Sequence, residues 1–314
     1  MVVRPFMHAA PLARQGFGAT ITGSTLSLQK ALADVDQAVA VAEHLRRRLD
    51  QHKVLLWRHP ESELRPQDHV ALAELLGSIF PLPPRFQHER SPIGHKILRM
   101  SNVGAEGFTG VGTAGWHSDG LSYATPFRYA VLHIVRAPTD SGPTHFLDLG
   151  PVAAAIRKQQ PSWEHLWIRC GEGEKAVQHP LLFQHPRTGR PGVCLGKTSG
   201  FAWCTPLDTE RSATQSTGWR PTGVDETAEV RAALASEVAR VAETAGATYH
   251  HEWEEGDTLL VDNLAVAHVA PPQTQQPPAA IGLRVLDRVV VAGTQPLLAL
   301  HDRDRAVLHT VGAV

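Results

Sequence analysis

The sequence predicts a mainly β protein with flanking helices, of the distorted jelly-roll type: a double-stranded, cupin-like β-helix. Two patterns point there. From Gly115 onward the apolar residues fall in short runs bounded by glycine, proline and turn residues. Helical periodicity is confined to a few stretches. No internal repeat or shift of composition divides the chain, so residues 1–314 read as one domain. Several short strands joined by long inserts fit a jelly roll better than an open parallel sheet.

The elements follow in order. "GFGATITGSTLSL" (16–28) alternates apolar and small polar residues between glycines and reads as an early strand. "ALADVDQAVAVAEHLRRRLDQ" (31–51) has Ala, Val and Leu at helical spacing and a basic last turn, as a helix C-terminus prefers. "KVLLWRH" (53–59) is a buried strand, "PQDHVALAELLGSI" (66–79) a helix opened by Pro and Asp, and "KILRMSNV" (96–103) a strand. The pattern then becomes β through "WHSDG" (116–120), "RYAVLHIVRAP" (128–138), "THFLDL" (144–149), "GVCLG" (192–196), "ATYHHEWEEGDTLLVDN" (247–263), "AVAHVAPP" (265–272) and "GLRVLDRVVVAG" (282–293). Helices interrupt it at about 150–168 and 225–245. "TQSTGWRPTGVDE" (214–226) and "APPQTQQPPAA" (270–280) read as loops, and long loops on a β scaffold often cover a site.

Composition narrows the partners. Thirty basic residues face 31 acidic ones, a net charge of -1 with both signs interspersed. No basic block suits nucleic acid or an anionic membrane, so a small molecule is the expected partner. Whether the chain forms a homo-oligomer is left open. Cys170, Cys194 and Cys204 are odd in number and form no Cys-x-x-Cys pair, which disfavours a disulfide framework or a thiolate metal site. With no long apolar region at the N-terminus and no run of membrane-span length, a cytoplasmic location is expected.

The chemistry centres on "GWHSDG" (115–120). Side chains two apart on a strand share a face, so His117 and Asp119 would converge if this segment is extended. An imidazole and a carboxylate make two members of the 2-His-1-carboxylate arrangement that holds Fe(II) with open positions. The third member must be a distant histidine, which spacing alone does not choose. A lone His-x-Asp is common as a hydrogen-bonded surface pair. Near the C-terminus, His268 follows a strand and a short turn, and the next strand places Arg284, Leu286 and Arg288 on one face. Two inward guanidinium groups are costly unless anions meet them, and a dicarboxylate beside a metal would do so. The competing reading is a surface salt-bridge stripe with Asp287 as local partner.

These segments together resemble the TauD/TfdA family of Fe(II)/2-oxoglutarate-dependent dioxygenases, from about residue 16 to 293. "GFGATITGSTLS", "HKVLLWRH", "WHSDG", "APTDSGPTHFLDL", "HPLLFQHPRTGRPGVCLG", "WEEGDTLLVDNLAVAH" and "RVLDRVVVAG" are similar to the family's motifs in the family's order. The resemblance implies His117, Asp119 and His268 as iron ligands, and Thr144 as a hydrogen-bond donor to a 2-oxoglutarate carboxylate. It implies Arg284 as partner of the distal carboxylate, with Arg288 nearer the metal-side carboxylate and the substrate, or else as the distal partner itself. Pro143 departs from the polar residue usual before the threonine. The implied reaction couples O2 and the decarboxylation of 2-oxoglutarate, to succinate and CO2, to oxidation of an unactivated C–H bond. Hydroxylation is the first expectation; desaturation, cyclisation and dealkylation are alternatives. Arg288 hints at an anionic substrate group.

Other residues carry blander expectations. His179 and His185 order loops, and of His250 and His251 at most one faces a site. Trp116 packs in the core, and Asn263 orders the turn that presents His268. Segments 85–115, 120–128 and 200–222 supply pocket and lid, with Phe86, Phe108, Tyr123, Phe127, Phe201, Trp203 and Trp219 as lining or packing residues. Two other classes compete: a cupin-like metal-dependent hydrolase or isomerase using the same His/Asp/His set, and a non-catalytic binding member of the fold.

Overall fold

The computed structural model describes residues 9–12, 17–23, 25–58, 64–110, 115–140, 142–204 and 219–300. In chain order its first elements are β1 (Ala9–Pro11), β2 (Ala19–Ile21), α1 (Thr25–Leu32), α2 (Val35–His52), β3 (Val54–Trp57), α3 (Pro66–Leu76), β4 (Leu98–Ser101), β5 (Tyr129–Arg136), β6 (Thr144–Asp148) and α4 (Leu149–Gln159). There follow β7 (Leu166–Cys170), β8 (Val177–Pro180), β9 (Leu182–Gln184), β10 (Pro191–Val193), β11 (Gly200–Cys204) and β12 (Trp219–Pro221). The chain continues with α5 (Val224–Ala242), β13 (Thr248–His251), β14 (Thr258–Asp262), β15 (Val266–Val269), α6 (Pro278–Ile281), β16 (Val285–Val291) and β17 (Leu298–Ala299). The architecture is mixed α and β with several sheets. No helix among the described residues is long and apolar enough to cross a membrane.

A seven-stranded sheet in the order β1-β2-β3-β14-β5-β16-β4 is the frame. Its strands alternate strictly between two cores, as the two-residue repeat of a strand dictates. Leu55, Trp57, Val131, Leu260, Val289 and Val291 point to one face, where Leu28, Leu45, Leu49 and Leu72 of α1, α2 and α3 meet them. Leu56, Leu132, Ile134, Leu259, Val261, Leu286 and Val290 point to the other. There they pack on Phe146, Tyr249 and Val266 of the second sheet, β13-β6-β15. With both faces covered, the strands read as continuous apolar runs, which is why their boundaries were visible in sequence. A third core joins α4 and α5 to β7, β9, β10 and β11.

Three boundaries differ from expectation. The stretch 16–28 is not one strand: β2 ends at Ile21 and α1 starts at Thr25, with Leu28, Ala31 and Leu32 turned to the core at helical spacing. The helix expected over 31–51 is two. Asp34 interrupts it, with its carboxylate accepting the Gln37 N–H at 3.1 Å as the N-cap of α2. The helix expected to reach 168 ends at Gln159, because Pro161 follows, and the chain passes through a 3-10 turn into β7. The segment "WHSDG" is also not an extended strand. His117 makes one isolated antiparallel bridge with His268, and Asp119 and Gly120 form a turn. The 270–280 stretch, expected as loop, carries a 3-10 turn at Pro272–Gln275 and α6.

Candidate metal centre and cosubstrate pocket

The convergence of His117 and Asp119 arises from a bridge and a turn. The His117 N–H donates to the His268 carbonyl at 3.1 Å, and the His268 N–H donates back at 2.8 Å. This double bond sets the two imidazoles side by side, with ring centroids 4.3 Å apart. The turn at Gly120 (φ +83°) then swings Asp119 back over them. A Cβ on Gly120 would stand 2.7 Å from the Phe127 ring, so glycine is required there on both counts.

One ligand atom from each of His117, Asp119 and His268 lies within 4.8 Å of the other two. Among the described residues no other trio of His, Cys, Asp or Glu does this. The two carboxylate oxygens of Asp119 divide between the rings, Oδ1 at 3.9 Å from His117 Nε2 and Oδ2 at 3.8 Å from His268 Nε2. His117 Nδ1 donates to the Gly115 carbonyl at 2.8 Å, which turns Nε2 toward Asp119. Burial and the neighbouring His117 push His268 down to about 3, so its imidazole is neutral. Burial works to raise the Asp119 carboxyl, but Arg288, His268 and His117 outweigh it and hold it at about 2. A neutral imidazole at His268 and an ionised carboxylate at Asp119 are donor states that a divalent metal needs.

Asn263 holds the carboxylate's backbone. Its amide oxygen accepts the Asp119 N–H at 2.9 Å, and its amide nitrogen donates to the carbonyls of Asp119 at 3.0 Å and Phe127 at 2.7 Å. The turn that presents His268 is ordered instead by Asp262. That side chain accepts from the Leu264 N–H at 3.1 Å, from Arg128, and from His185 Nε2 at 3.0 Å. The role expected of Asn263 thus belongs to its neighbour.

Arg284, Leu286 and Arg288 line one cavity of about 300 Å³ together with His117, His268 and Thr144. The salt-bridge stripe does not form. Asp287 turns to the opposite face and is gripped by Arg99 through two bonds of 2.8 Å. Arg288 instead donates to Asp119 Oδ2. Arg284 is 2% exposed, and its Nε and Nη1 have no hydrogen-bond partner among the described residues. Burial pushes its guanidinium down to about 10, still cationic at neutral pH. Thr144 opens β6, is buried, and its hydroxyl accepts the Trp253 indole N–H at 3.0 Å, which leaves the hydroxyl proton to donate elsewhere.

The remaining histidines stay out of the trio. His179 bonds the Leu121 carbonyl at 2.9 Å and His185 bonds Asp262, both ordering loops. His251 is buried against Tyr249 and Asp257, while His250 is exposed and stacks on His145. Of the expected aromatics, Phe86 and Phe108 line the cavity, edge to face at 6.4 Å. Tyr123 and Phe127 pack on Phe80, Phe201 is core, Trp116 and Trp203 pack against that core, and Trp219 sits on Trp167. Of the expected pocket and lid segments, residues 111–114 and 205–218 lie outside the described residues.

A model of the taurine catabolism dioxygenase TauD, TfdA family matches residues 9–286. An (S)-phenoxypropionate/alpha-ketoglutarate-dioxygenase of Sphingobium herbicidovorans is 23% identical over 306 aligned residues, covering 85% of this chain and 90% of that one. A taurine dioxygenase from Burkholderia xenovorans superposes with TM-score 0.67 at 20% identity, over 93% of this chain and 91% of the other. AAD-2, solved with Mn(II) and N-oxalylglycine, superposes with TM-score 0.64 at 18% identity, over 93% and 99%. With the family's match spanning nearly the whole described chain and a His-Asp-His cluster in place, the protein belongs to the TauD/TfdA family of alpha-ketoglutarate-dependent dioxygenases.

Proposed function

We propose that this enzyme uses Fe(II), 2-oxoglutarate and O2 to oxidise, by hydroxylation, an unactivated C–H bond of a small molecule, releasing succinate and CO2. The observation that carries the reading is Arg284: a buried cation with two nitrogens that have no partner among the described residues, lining the same cavity as the two imidazoles. An unpaired buried charge is costly, and a dicarboxylate resolves it. His117, Asp119 and His268 would hold the iron. Thr144 and Arg284 would hold the distal carboxylate of 2-oxoglutarate, and Arg288 would stand between Asp119 and the ligand side. Ferrous iron, Asp119, a doubly charged keto acid and Arg284 sum to zero, and Arg288, bonded to Asp119, adds one positive charge.

When bound, the iron supplies the activation of O2 at the expense of the keto acid. The chain's own residues do the rest. Arg288 and Asn263 fix the Asp119 carboxylate. Arg284 and Thr144 orient the cosubstrate, and the apolar side chains Leu98, Met100, Phe86 and Phe108 keep water from the reacting space. A hydrolase using the same trio would leave Arg284 and Thr144 without a task. We also read the two facing sheets as the halves of a double-stranded β-helix, and residues 1–314 as one domain.

The test is O2-dependent formation of succinate from 2-oxoglutarate across a broad panel of small molecules, with product mass recorded. A gain of one oxygen atom in the product is expected. In parallel, Arg284→Ala is expected to weaken 2-oxoglutarate binding to Mn(II)-loaded protein by tenfold or more, about the loss of a charge-assisted pair. Unchanged binding in that variant, with binding lost in Arg288→Ala, would exchange the roles of the two arginines.

A further inference from the structure

Among the described residues the Arg284 nitrogens Nε and Nη1 have no hydrogen-bond partner, whereas its backbone is held and so bears on where the side chain points. That backbone sits at a weak point. β16 begins only at Val285, and its register with β5 shifts between Val285 and Leu286. On the β4 side the ladder ends at the Val285–Ser101 pair. Arg284 therefore lies one residue beyond regular pairing on both sides.

Asn102 fills the gap. Its amide oxygen accepts the Arg284 N–H at 2.9 Å. Its amide nitrogen donates to the carbonyls of Gln276 at 2.9 Å and Gly282 at 3.0 Å. Its own N–H reaches the Arg284 carbonyl at 3.4 Å. One side chain thus ties the arginine to both ends of the segment that carries α6. The same segment grips the cavity wall, since the Gln275 side-chain oxygen accepts the Gly110 N–H at 2.7 Å, and Gly110 lines the cavity beside Phe108. On its far side the segment is closed at Gly282 (φ +80°), where a Cβ would meet the Thr139 nitrogen at 2.9 Å, so it has little room to shift.

We propose that Asn102 is the positioning residue for Arg284: by completing the ladder beyond β4 it sets where the guanidinium meets the distal carboxylate of 2-oxoglutarate. The inference rests on the assignment of Arg284 to that carboxylate. An amide is needed because the task requires one acceptor and two donations from a single group. Aspartate keeps the acceptor and loses both donations. Alanine loses all three.

The experiment titrates 2-oxoglutarate calorimetrically into the Mn(II)-loaded full chain, for the parent protein, Asn102→Ala, Asn102→Asp and Arg284→Ala, with Mn(II) affinity and melting temperature recorded for each. Misplacing a binding group by about an ångström can cost up to a hundredfold, so Asn102→Ala is expected to weaken 2-oxoglutarate about tenfold or more. Asn102→Asp is expected to fall between, and Mn(II) affinity to stay at the parent value in both. Lowered melting temperature with parental 2-oxoglutarate affinity in both variants would overturn the proposal and leave Asn102 a purely structural residue. Should the alanine variant not fold, the aspartate variant alone decides, by weakened or parental affinity. Parental affinity in Arg284→Ala is a separate result, since it removes the assignment of the arginine itself and the proposal with it.

Discussion

Single side chains decide the state of the candidate centre. The Asn263 side chain makes three hydrogen bonds around Asp119, with that residue's N–H and carbonyl and with the Phe127 carbonyl. Asn263→Ala is expected to lower Mn(II) affinity by about 10- to 100-fold, the range for groups that orient metal ligands, and a direct metal titration by electron paramagnetic resonance checks it. Asp119→Ala is expected to abolish metal binding and turnover, with parental turnover in that variant ruling out the trio as drawn. His117 and Asp119 were legible as a pair of metal-binding side chains, though such a pair is common by chance, and His268 was singled out only by the resemblance of its segment to the family's, since spacing did not choose among the histidines. Asn263 and Asn102 were not legible. An asparagine at a strand end is the ordinary signature of a turn, and nothing in the sequence says that its amide reaches a residue far along the chain.

At the scale of elements, the site depends on a turn where the sequence suggested a strand. Gly120→Ala forces a side chain into a positive-φ position already filled by Phe127. It is expected to lower the melting temperature by several degrees, corresponding to about 1–3 kcal/mol of strain, and to weaken Mn(II) binding with it, because the turn carries Asp119. Thermal unfolding with and without Mn(II) measures both effects. The long helices and the strands β3, β5, β14 and β16 could be read from their periods and apolar runs. Of the strands between Leu166 and Pro221, only β10 could be, in part, through "GVCLG". They are three to five residues long, and Leu166–Cys170 was absorbed into the preceding helical pattern. So short a strand shows hardly one full repeat, and only its neighbours in space decide its state.

Across the whole molecule, buried carboxylates tie separate sheets and loops together and make stability depend on pH. Burial acts to raise Asp257, yet His251 and Arg58 hold it down at about 2. Asp262 is likewise raised by burial but held at about 2 by Arg128 and His185. Both folded values lie below the ordinary carboxylate value of 3.8, so their stabilisation is complete above it and is lost as pH falls toward 2. Urea midpoints measured from about pH 6 down to about pH 2 are expected to stay level and then drop steeply below about pH 4, with a shallower drop in Asp262→Asn.

The reciprocal bonds between His117 and His268 join two segments far apart in the sequence. Under the ligation proposed above, a nascent polypeptide that has not yet delivered β15 exposes Trp-His-Ser-Asp in full but offers an incoming ion one imidazole and one carboxylate, too few to retain it. Retention of the ion is then expected only once these two segments have paired.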